Sequence, residues 1–97
     1  MDTFTLFLAL RPEPPLDQAA VDALGGVLRP GDDDLRVWRE EGRGLLRVST
    51  ETSAEGLEAA LELAHGLGAE VLAECPGTLL EVSALGDEDS LVWRAVP

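Results

Sequence analysis

Apolar residues recur at every second position along residues 4–10, where Phe4, Leu6, Leu8 and Leu10 alternate with Thr5, Phe7 and Ala9. That is the period of a strand with one buried face. The alternate residues are themselves largely apolar, so partial cover is expected on the second face too. The period then changes. Across residues 16–28, Leu16, Ala20, Leu24, Val27 and Leu28 fall near one helical stripe, with Asp17 and Asp22 turned away. Pro12, Pro14 and Pro15 end the strand before this helix, and Gly25 and Gly26 weaken its close.

The same succession returns further along the chain. Residues 35–40 read as a strand, 41–44 as a turn, and 45–50 as a strand completing a hairpin. Thr52, Ser53 and Glu55 have capping-box character, which predicts a helix over 53–67 closed by Gly66 and Gly68. Leu57, Ala60, Leu61 and Ala64 line its buried stripe, while Glu55, Glu58 and Glu62 stay outside. Three short apolar segments follow, at 70–74, 78–85 and 91–96. The pattern leaves open which two of them join the main sheet.

Read in order, the elements are β-α-β-β-α-β with a C-terminal extension. This predicts one α+β domain over residues 1–97, a two-layer ferredoxin-like sandwich with an extra C-terminal strand or hairpin. Two helices would cover one face of an antiparallel sheet. The first and third strands would be central, and the second, with Arg36, Arg39 and Glu40, would suit an edge.

Charge narrows the possible partners. Nineteen acids face seven bases for a net charge of −12, and every base is arginine. Such a field repels nucleic-acid phosphates and anionic membranes, and it keeps a small protein soluble or attracts a basic one. No segment approaches the roughly 20 apolar residues of a membrane span, and Met1-Asp2-Thr3 lacks the basic start of a signal peptide. A cytoplasmic location is expected.

Candidate chemistry is sparse. Cys75 is the only cysteine, which excludes an internal disulfide and a cysteine-based zinc site. It alternates with Val71 and Ala73 and reads as a small buried hydrophobe. His65, expected in the last turn of the second helix, suits the helix dipole but has no neighbour that makes it a general base. The acidic runs 32–34 and 87–89 lack the ligand spacing of calcium loops, and the Gly42/Gly44 turn is not a phosphate loop. No catalytic residue, metal or cofactor is expected.

One surface stands out. If Leu35 and Val37 face the helices, Arg36, Trp38 and Glu40 face away, together with Phe7 and Arg47. Val37-Trp38-Arg39 recurs as Val92-Trp93-Arg94. The candidate contact residues are therefore Phe7, Arg36, Trp38, Arg47, Trp93 and Arg94. Tryptophan and arginine are enriched where interfaces concentrate their binding energy. The expected function is non-enzymatic protein association, through a homodimer or with another protein, a basic one included. Cover by the terminal strands of the same chain is a competing reading. The alternative function is a small-molecule sensor or small enzyme that gathers an anionic metabolite with the sheet arginines. A nucleic-acid platform is not expected, because no glycine–aromatic RNA-binding motif is present.

Overall fold

β1 (Asp2–Pro12) is the axis of the sheet, with antiparallel neighbours on both sides. The computed structural model describes residues 2–28 and 32–95. After β1 come α1 (Gln18–Leu28), β2 (Arg36–Glu40), β3 (Leu45–Ala54), α2 (Leu57–Glu74), β4 (Gly77–Leu85) and β5 (Ser90–Arg94). The five strands lie in the order β2-β3-β1-β4-β5, and every neighbouring pair is antiparallel. The fold is α+β.

Alternation along β1 decides where the core sits. Phe4, Leu6, Leu8 and Leu10 point to one side and join Leu46 and Val48 of β3 and Val82 and Ala84 of β4. Onto this floor pack Val21, Leu24 and Leu28 of α1 and Ala60, Ala64, Leu67 and Val71 of α2. Each fully buried leucine or valine contributes about 1.5–3 kcal/mol relative to exposure, which makes this one cluster the main source of stability. The ladder between β1 and β4 slips once. Ala9 pairs with Glu81 but Leu10 pairs with Leu79, so Leu80 is an extra residue in the register.

α1 starts where a carboxylate can cap it. The Asp17 side chain accepts a hydrogen bond from the Ala20 backbone N–H at 2.8 Å. Its buried stripe runs through Val21 rather than Val27, which is 54% exposed.

The second helix departs most from the expectation. Ser53 and Ala54 remain in β3, opposite Thr3 and Asp2, and the helix follows Gly56 without a side-chain cap. Pairing with β1 satisfies these backbone groups, so the local capping signal is not used. Gly66 and Gly68 do not end the helix, and residues 70–74, expected as a strand, are its last turns. Leu67, Val71 and Cys75 are spaced by four and all buried, while Ala73 is exposed, so the period here is helical. Gly68 marks close approach to the sheet. A Cβ there would stand 3.2 Å from a Leu79 methyl and 3.4 Å from one of Leu8. His65 consequently lies mid-helix, away from the dipole end invoked for it.

The segment 77–85 pairs with β1, and 90–94 pairs with β4 at the sheet edge. The expected turn residues 29–31 and the strand end at Val96 lie outside the described residues. Among the described residues, no helix is long and apolar enough to cross a membrane.

Candidate interaction surface

Strand registers assemble the second face of the sheet residue by residue. One row across all five strands reads Trp38, Arg47, Ala9, Glu81, Arg94. The next row reads Arg36, Ser49, Phe7, Ser83, Val92, and a third runs Glu51, Thr5, Leu85, Ser90. Directly paired residues point the same way, so all of these side chains share the face opposite the helices.

An alternating chain of charges crosses this face. Arg47 Nε donates to Glu40 Oε2 at 3.0 Å, and Arg43 lies 3.6 Å from the other Glu40 oxygen. Arg47 also reaches across β1 to Glu81 at 3.9 Å, and Glu81 accepts from Arg94 Nε at 2.8 Å. The reach is possible because the intervening β1 residue is Ala9, which is only 3% exposed beneath its paired neighbours Arg47 and Glu81. Each pair is partly solvated and contributes at most about 1 kcal/mol. Their larger effect is to fix the side chains and balance charge on this face of a strongly acidic protein.

Apolar groups surround the charged row. Among the described residues, the large hydrophobic side chains left exposed on this face are Phe7, Trp38, Leu85 and Val92, at 38–46%. Local pattern alone does not place Leu85 and Val92 on this face, because their phase depends on how β4 and β5 pair in the sheet. Arg36 turns back to the Asp33 and Leu35 carbonyls, at 2.6 and 3.1 Å.

Five of the six sequence candidates, Phe7, Arg36, Trp38, Arg47 and Arg94, therefore share one face. Trp93 does not. It pairs with Val82, a core residue, and so points to the helix side, where its ring meets His65 edge-on at 4.9 Å. The two Val-Trp-Arg tripeptides sit in opposite phase: Val37 faces α1 near Gly25, and Val92 faces the open side. In β2 the tryptophan is on the open face, and in β5 the arginine is.

Other features lie elsewhere. A cleft of about 430 Å³ opens between Pro12, Pro15, Leu16, Arg39 and the hairpin turn at 41–44. Arg39 there donates to the Leu16 carbonyl at 3.4 Å. Asp32 organises the approach to β2, accepting from the Asp34 N–H at 3.0 Å and from the buried Thr50 hydroxyl at 3.3 Å. Burial pushes the Cys75 thiol above its ordinary pKa of 9.0. The chain matches no protein-family model, and no curated protein is similar to it in sequence.

Proposed function

We propose that this protein is a non-enzymatic association module whose open sheet face binds protein, a second copy of itself first of all. The observation that carries this reading is the combination on one face of exposed Phe7, Trp38, Leu85 and Val92 with a neutralised Arg–Glu chain. Aromatic and arginine anchors within a charge-balanced surface are what protein contacts use. β5 extends the sheet at its edge and leaves this face open, which removes support from cover by the same chain. The strand order also supports the ferredoxin-like reading: β1 lies between β3 and β4, β2 lies outside β3, and β5 is added beyond β4. A buried free thiol suits a reducing, cytoplasmic compartment.

Sedimentation across a range of concentrations tests the reading. Association to twice 10.3 kDa, weakened by Trp38→Ala and little changed by moderate salt, is the expected result. A mass that stays at that of one chain rules out self-association. A heteropartner held through the acidic surface would instead dissociate steeply as salt rises.

A second reading, a sensor of small anionic metabolites, has one observation in its favour, the cleft beside Arg39. Arg47 and Arg94 already hold carboxylates, so the sheet arginines are less suited to that task. Thermal stabilisation by a small carboxylic acid, lost in Arg39→Ala but kept in Arg47→Ala, would favour it.

A further inference from the structure

In the row of Ala9 the two charges that flank β1 are opposite in sign, while in the neighbouring rows Arg36 is level with Val92 and Glu51 with Leu85. On one flank β3 carries Arg47, and on the other β4 carries Glu81 at the same level. One strand further out, Trp38 of β2 stands level with Arg94 of β5. On the central strand itself are the small Ala9 and the exposed Phe7.

We propose that two copies pack face to face about a two-fold axis running along β1. This rests on the association reading above and specifies its geometry. A half turn about that line exchanges left and right and keeps the level along the strand. Arg47 then faces the partner's Glu81, and Glu81 faces the partner's Arg47. Trp38 faces the partner's Arg94, an arrangement for cation–π stacking, and this contact also forms twice. Phe7 lies on the axis and meets its own copy. Ala9 lets the two backbones approach where each carboxylate–guanidinium pair must be shared.

The other two-fold axis that keeps the strands of the two sheets aligned runs across them, and the charge pattern disfavours it. Placed at the level of Ala9, it sets Arg47 against Arg47 and Glu81 against Glu81. Placed at the level of Phe7, it pairs Arg47 with the partner's Glu51 but sets Arg36 against Arg36 and Glu81 against Leu85. Like charges brought together on desolvation oppose binding strongly.

The area suffices. The strands span 11, 5, 10, 9 and 5 residues. At ordinary strand rise and spacing they present a flat area of about 650 Å² per copy. The pair would bury about 1,300 Å², near the lower bound of stable, specific interfaces. Acidic helices and turns are left on the outside, so the net charge of each copy is kept away from the contact.

A charge exchange tests the geometry. In Arg47→Glu the β3 and β4 positions are both acidic, and in Glu81→Arg both are basic. Each variant alone then meets its own sign twice across the axis, and self-association should weaken about a hundredfold. An equimolar mixture should regain association as a heterodimer, because acidic pairs now face basic ones. Circular dichroism checks that both variants are folded. A second measurement needs no charge change: a bis-maleimide with a spacer of about 10 Å, the separation of facing sheets, should link Phe7→Cys to its own copy, whereas Ser90→Cys at the sheet edge, about 20 Å from its copy, should not link to itself.

If the wild type is monomeric at every concentration, the self-association reading fails and this geometry with it. If the wild type associates but the mixture does not recover, or if Ser90→Cys links to itself, association stands and the axis along β1 is overturned.

Discussion

Replacing Gly66 with alanine should stabilise the protein by about 1 kcal/mol, the interior helix preference of alanine over glycine. Gly66 is exposed within α2, and a Cβ built there meets nothing within 4 Å. No contact is lost or strained, so the gain comes from restricting the unfolded chain. For a domain of this size it should raise the melting temperature by about 4–8 °C. Gly68→Ala carries the same intrinsic gain but a different environment. Its Cβ would stand 3.2 and 3.3 Å from the Leu79 methyls and 3.4 Å from Leu8, which is 1% exposed. Overpacking of this kind costs about 1–3 kcal/mol, so the net effect should be a loss of up to about 2 kcal/mol. Urea unfolding followed by far-UV circular dichroism measures both. A destabilised Gly66→Ala, or equal responses at the two positions, would refute a helix that runs through them to Glu74 against the sheet.

Four further outcomes are expected. Gly77→Ala should destabilise by about 3 kcal/mol or more in the same assay, because its Cβ would collide with the Arg11 carbonyl oxygen and lie 2.8 Å from Pro12 Cα. Glu81→Ala should cost about 0.5–1 kcal/mol at low salt and less at high salt, since it removes the partner of Arg94 and the distant contact to Arg47. The Cys75 thiol should resist alkylation in the folded protein and react on unfolding. Its raised pKa makes stability fall as pH rises above about 9, where the unfolded chain releases that proton first, and a pH series of urea melts checks the sign. Trp38→Ala should weaken self-association by about tenfold or more while leaving nearly unchanged the urea midpoint measured at concentrations where the wild type is monomeric, because its side chain is 41% exposed and outside the core.

Local pattern decided a good deal here. The strict alternation of Phe4, Leu6, Leu8 and Leu10 specifies both that this segment is a strand and which side of it is buried. A one-residue slip would turn every apolar group to the other face. The same alternation places Phe7 opposite the core, and the Leu35–Val37 phase places Arg36 and Trp38 there as well. Gly42 and Gly44, with φ of 82° and 66°, mark a turn that few other residues accept, so the β2–β3 hairpin was legible too.

Contacts distant in sequence decided the rest. Val71, Ala73 and Cys75 fit a strand as well as a helix over so short a span, and only the floor formed by Leu8 and Leu79 selects the helix that fits against it. The hydroxyl of Ser53 offers a cap, but its backbone is claimed by β1, and a ladder partner some fifty residues away leaves no local trace. Trp93 and Arg94 copy Trp38 and Arg39 in sequence yet exchange faces, because the phase of β5 is set by β4. The charge chain from Arg43 to Arg94 likewise exists only once five strands lie side by side with a small residue between Arg47 and Glu81. A chain encodes the periodicity of each element by itself, while register and partner follow from burial shared between segments that are far apart along it.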